Sequence, residues 1–135
     1  MAVVFLDANV LFSAAYRSDA GLLRLWDLPD VELITSDYAA QEARRNLVAS
    51  DQRERLKSLI GRVRLITAIP EVDLPESLEL PDKDQPILLS AIGAHATHLL
   101  TGDYAHFGKL YGSTIGGVLV LQPSEFLRKS MGTSG

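Results

Sequence analysis

Along the chain, short apolar runs alternate with stretches in which apolar residues recur every three or four positions. The runs VVFL (3–6), VELIT (31–35), VRLIT (63–67), HLLT (98–101) and GVLVL (117–121) are apolar and rich in β-branched residues, and read as strands. Between the first two, Val10–Tyr16 and Gly21–Leu28 read as helices, the second closed by Pro29. After VELIT, Ser36 or Asp37 caps a helix running to about Val48, and Asp51–Ile60 forms another that ends at Gly61. A loop punctuated by Pro70, Pro75 and Pro81 follows. From Asp84 to about Ala94, Ile87, Leu88, Ala91 and Ile92 keep helical spacing, with Pro86 tolerated in the first turn. YAHFGKLYG (104–112) reads as a short helix or turn, and Pro123 opens a last helix, PSEFLRK. Strands alternating with helices predict an α/β fold, a three-layer α/β/α sandwich on a central, mainly parallel sheet. No internal repeat or linker interrupts it, so the expectation is one domain over residues 1–129 with a flexible tail from 130 to 135.

Composition narrows the class. The 135 residues are 47% hydrophobic and 22% charged, ordinary values for a globular protein. The chain contains no cysteine, which excludes disulfides and thiolate metal sites. The apolar N-terminus lacks a basic flank and is interrupted by Asp7 and Asn9, so it reads as a strand and as neither signal peptide nor membrane span. Cytoplasm is the expected location. The net charge of −4 speaks against a strongly basic nucleic-acid binder, but the charge is unevenly spread. Arg44, Arg45, Arg53, Arg55, Lys57, Arg62 and Arg64 place seven of the thirteen basic residues within 21 positions. Between Glu71 and Asp84, by contrast, Glu71, Asp73, Glu76, Glu79, Asp82 and Asp84 face Lys83 alone. Each run alone is what a solvated helix face or an exposed loop would carry.

The acids suggest chemistry. In open parallel sheets, sites form beyond the carboxyl ends of the strands. Asp7 ends the first strand, Asp103 follows the fourth, and Asp84 opens the helix leading into that fourth strand. Glu42 lies one to two turns into the helix after the second strand. Carboxylates that converge repel one another unless a cation neutralises them. Ligands that offer only oxygen select Mg²⁺ or Mn²⁺, which can polarise a phosphoryl oxygen and activate water. Asn9 and Thr101 are neutral hydrogen-bonding residues on the same edge. Against this, Asp after a strand is commonly a helix cap, and Glu42 taken singly resembles any solvated helix position. Pattern alone leaves both open.

The segments FLDANVLFSA, TSDYAAQEARRNL, PDKDQPILLSAIGAHATHLLTGD and GVLVLQPSEFL together resemble the PIN domain family, most closely its VapC-type toxin ribonucleases. The resemblance covers nearly the whole chain, in order and spacing. It implies an α/β/α nuclease domain that cleaves RNA with Mg²⁺ or Mn²⁺. It places the four catalytic, metal-binding acids on Asp7, Glu42, Asp84 and Asp103, with Asn9 and Thr101 in support. Asp82 competes with Asp84 for the third position; Asp84 is preferred because the helix start fixes its direction. The resemblance further implies a homodimer and a partner antitoxin that covers the acidic site. For the RNA itself, Arg44, Arg45, Arg53, Arg55 and Lys57 are the candidate phosphate contacts, and Trp26, Tyr16, Tyr38, Tyr104 and Phe107 the residues able to stack a base. Trp26 fits core or a subunit contact better, and His95, His98 and His106 read as structural or solvated. The alternatives are a catalytically silent PIN-fold RNA-binding or scaffold protein, and a haloacid-dehalogenase-like phosphatase, which wants an Asp where this chain has Asn9.

Overall fold

A computed structural model of the chain describes residues 1–67, 73–75 and 77–130. Pro70, Glu71 and Glu76 of the acidic loop and residues 131–135 of the expected tail lie outside them. The strands are β1 (Ala2–Leu6), β2 (Val31–Ser36), β3 (Arg64–Ile66), β4 (His98–Leu100), β5 (Thr114–Ile115) and β6 (Val118–Leu121). They form one sheet in the order β3-β2-β1-β4-β6-β5, parallel throughout except for the β5–β6 pair. Val4, Phe5 and Leu6 are wholly buried because β1 lies at the centre and is covered on both faces, which is why its sequence is apolar without alternation.

The helices are α1 (Ala8–Tyr16), α2 (Asp37–Asn46), α3 (Ser50–Ile60), α4 (Gln85–Gly93), α5 (Tyr104–Phe107) and α6 (Pro123–Ser130). Helices α1, α2 and α3 pack against one another, whereas α4 contacts β2 and β4. Right-handed crossovers account for this split. The connections β1-α1-β2 and β2-α2-α3-β3 step outward in one direction, and β3-α4-β4 steps back the other way, so α4 covers the opposite face. The result is the three-layer α/β/α sandwich.

Three local features differ from the sequence expectation. Gly21–Asp27 is a 3₁₀ helix, with Leu25 and Trp26 buried and the Trp26 indole donating to the Leu59 carbonyl at 3.1 Å. Seven residues of apolar spacing do not separate a 3₁₀ from an α turn. The hairpin strand β5 was not expected. Its turn is Gly116–Gly117, with φ of 57° and 85°, the left-handed pair of a type I′ hairpin turn. Lastly, Asp84 ends a 3₁₀ turn, Asp82–Asp84, and its side chain makes no capping bond to α4.

Candidate active site

The sheet order reverses at β1, whose two neighbours β2 and β4 are reached by chain running in opposite directions. Leu6 pairs with Leu100, so the next residues, Asp7 and Thr101, emerge side by side at the carboxyl edge. This is the switch point at which open α/β sheets form a crevice. A cavity of about 560 Å³ opens there, lined among others by Asp7, Asn9, Glu42, Lys83, Asp84 and Asp103.

Asp7 is 4% exposed. Its Oδ1 accepts the Ala8 backbone N–H at 2.7 Å, while Oδ2 accepts the Thr101 hydroxyl at 2.8 Å and the Asn9 amide at 3.2 Å. Burial nonetheless dominates and pushes its carboxyl up to about 6, with the charges of Asp84 and Glu42 adding to the effect. Asn9 and Thr101 form the support. The Asn9 amide also donates to Thr101 Oγ1 at 3.3 Å, and its Oδ1 accepts the Gly102 N–H at 2.7 Å. Thr101 Oγ1 accepts the Asp103 N–H at 3.1 Å, and the Tyr111 hydroxyl donates to the Thr101 carbonyl at 2.8 Å. A side chain at Gly102 would meet Asn9 Oδ1 at 3.3 Å, so the loop lies tight against α1. Asn9 thus ties α1 to the loop after β4, a role that needs an amide's paired donor and acceptor.

Two of the acids cap a helix with one oxygen and meet other partners with the second. Asp103 Oδ1 caps α5 by accepting the His106 N–H at 3.2 Å, while Oδ2 lies 2.9 Å from His106 Nδ1. Asp7 likewise accepts the first N–H of α1 with one oxygen and meets Thr101 and Asn9 with the other. Asp84 Oδ2 lies 2.8 Å from the same His106 Nδ1. Burial raises the Asp84 carboxyl above its ordinary value, countered in part by His106 and reinforced by Asp103. Asp82, the competitor, is exposed and accepts a bond from Gln85 at 3.2 Å. It does not line the cavity, whereas Asp84 does.

His106 and Lys83 were missed in the sequence. The signal for His106 was its place three residues after Asp103, which puts both on one turn of helix. Lys83 read only as the lone base of an acidic run, yet it lines the cavity, and its carbonyl accepts the Tyr38 hydroxyl at 3.0 Å. Phe107 is fully buried and Trp26 nearly so, which removes both as stacking surfaces, whereas Tyr16, Tyr38 and Tyr104 are exposed. His98 packs edge-on against Phe126 at 4.9 Å, and His95 occupies a left-handed turn position.

The basic run divides. On α2, Glu42 and Asn46 line the acidic cavity, whereas Asp37, Gln41 and Arg44 face a second groove shared with Arg53 and Lys57 of α3. Arg45 is exposed and, three residues from Glu42, shares its side of the helix. Arg53 and Arg55 are tied to the protein itself: Arg53 Nε donates to the Leu47 carbonyl at 2.7 Å, and Arg55 Nη1 to the Ala15 carbonyl at 2.8 Å.

The model of the PIN domain matches residues 3–105. The chain belongs to the PIN domain family. With the family assigned, the haloacid-dehalogenase-like reading falls. Among solved structures, the chain is similar to VapBC2 from Rickettsia felis bound to a DNA fragment from its promoter. The two share 16% identity with a TM-score of 0.63, over 89% of this chain and 98% of that one. It is also similar to VapBC-1 from nontypeable Haemophilus influenzae, at 14% identity and a TM-score of 0.57, over 90% and 98% of the two chains. At such identities the likeness is one of fold. No curated protein matches the chain. Among the described residues, no helix is long and apolar enough to cross a membrane.

Proposed function

We propose that this chain is a metal-dependent endoribonuclease, hydrolysing RNA phosphodiester bonds as the toxin of a toxin–antitoxin pair. The observation that carries the reading is the meeting of Asp7, Glu42, Asp84 and Asp103, from four separate segments of a PIN domain, on one cavity. These residues fit a divalent cation. Asp84 Oδ2 and His106 Nδ1 are buried 2.8 Å apart without an aligned hydrogen bond, and carboxylates on one cavity need positive charge to stay ionised together. The acids would hold Mg²⁺ or Mn²⁺, which supplies charge neutralisation at phosphoryl oxygens and lowers the pKa of water.

The chain's own residues do the rest. Asn9 and Thr101 fix the Asp7 carboxylate, and the Thr101 hydroxyl sets the start of the loop that carries Asp103. Lys83 at the cavity supplies a cation for the phosphodiester that the acids would otherwise repel. Arg44, Arg45 and Lys57, all exposed, extend this attraction along α2 and α3, with Arg53 and Arg55 contributing field from tethered positions. Under this reading the protein acts in the cytoplasm as a homodimer, and an antitoxin chain covers the acidic cavity.

The experiment is thermal melting with Mn²⁺ and with chelator, alongside RNA cleavage. The parent should melt higher in Mn²⁺, and Asp7→Asn should lose most of that shift. Asp84→Ala should weaken Mn²⁺ stabilisation and cleavage together, whereas Asp82→Ala should leave both within about a few-fold of the parent. If Mn²⁺ leaves the parent's melting unchanged and RNA is bound but uncut, the chain is a silent RNA-binding or scaffold member of the family.

A further inference from the structure

His106 stands against the acidic cluster, with one ring nitrogen shared between two carboxylates. Its Nδ1 lies 2.8 Å from Asp84 Oδ2 and 2.9 Å from Asp103 Oδ2, ion-pair distances at which Nδ1 and Asp84 Oδ2 still lack an aligned hydrogen bond. An imidazole that serves a carboxylate aims its in-plane N–H along the contact. Here two oxygens crowd the same nitrogen from off that line. Such spacing, ordinary for an ion pair, also matches that of donor atoms around a common centre. On an octahedral ion with bonds of ~2.1 Å, neighbouring ligands lie about 3.0 Å apart. The three donor atoms all fall within 4.8 Å of one another.

We propose that His106 is a protein ligand of the cation, through Nδ1, beside Asp84 and Asp103. The proposal rests on the metal-centre reading above and adds to its oxygen set a nitrogen that reaches it through Asp84 and Asp103, since His106 does not itself line the cavity. The ring is held for the purpose: Asp103 accepts the His106 backbone N–H with one oxygen and meets the ring with the other. The consequence is specificity. Imidazole suits transition ions, and Mg²⁺ prefers oxygen alone, so the mixed set favours Mn²⁺ over Mg²⁺ beyond what carboxylates provide.

The test uses the full chain and the metals alone. Pulsed electron paramagnetic resonance of bound Mn²⁺ should show ¹⁴N modulation in the parent, replaced by a ¹⁵N signature on labelling the histidines with ¹⁵N, and absent in His106→Ala. Calorimetric titration should show Mn²⁺ affinity falling by about tenfold or more in His106→Ala, with Mg²⁺ affinity falling less. If His106→Ala does not fold, the labelling result on the parent and the same titration of His106→Asn decide the matter. Mn²⁺ bound without nitrogen coupling, with both affinities in the variant within about twofold of the parent, would overturn the role of His106 and leave the acidic metal centre standing. A parent that binds no Mn²⁺ would overturn the role and the metal centre together.

Discussion

Asp7 sets the balance of forces at the residue scale. Its carboxyl rises from 3.8 to about 6 because burial, aided by the charges of Asp84 and Glu42, outweighs the hydrogen bonds from Thr101 and Ala8. The folded chain therefore keeps a proton that the unfolded chain releases near pH 4. Without metal, stability should fall as pH rises from below 4 to above 6, by about 3 kcal/mol over the whole window for a shift of this size. Denaturant unfolding of the chelated parent at pH 4.5 and pH 8 captures about 2 kcal/mol of that drop, compared with Asp7→Asn, in which this contribution should vanish. Thr101 offers a second prediction. Its hydroxyl donates to Asp7 and accepts from Asp103 N–H and Asn9, so Thr101→Val strands buried partners. The expected loss is about 1–3 kcal/mol, largely recovered in Thr101→Ser and read by the same denaturant titration.

Elements differ in how much of themselves they display in sequence. The buried parallel strands β1, β2, β4 and β6 are plain because both faces need apolar residues, and the acids at their ends are plain because strand ends are. Less visible was anything that depends on three-dimensional neighbours. Whether Arg55 is free or bound turns on the Ala15 carbonyl, 40 residues away. Whether His106 meets Asp84 turns on how the Asp82–Asp84 turn sits beside α5. The β5–β6 hairpin did carry a signal, Gly116–Gly117 between apolar residues, and it yields a prediction. Gly116 has φ of 57°, and a Cβ there would lie 3.0 Å from Ile92 on α4. Gly116→Val should cost roughly 1–3 kcal/mol through the backbone alone, seen as a lower melting temperature. Metal affinity of the folded fraction should be unchanged, because the hairpin lies at the far side of the sheet from β1.

The whole molecule is a negatively charged chain that is proposed to bind a polyanion, which works only if the field is local. Neutralising Arg44, Arg45, Lys57 and Lys83 together should weaken binding of unrelated RNAs alike and flatten the log-affinity against log-salt slope by about 0.7 per lost contact. Neutralising Arg53 and Arg55 should in addition lower thermal stability, since both bond to internal carbonyls. The acidic centre itself is tested most directly by single-turnover cleavage of end-labelled RNA, comparing the parent in Mn²⁺, the parent in chelator, and folded Asp7→Asn in Mn²⁺. The account predicts cleavage in the first alone. Equal cleavage by Asp7→Asn, or by the chelated parent, would contradict it.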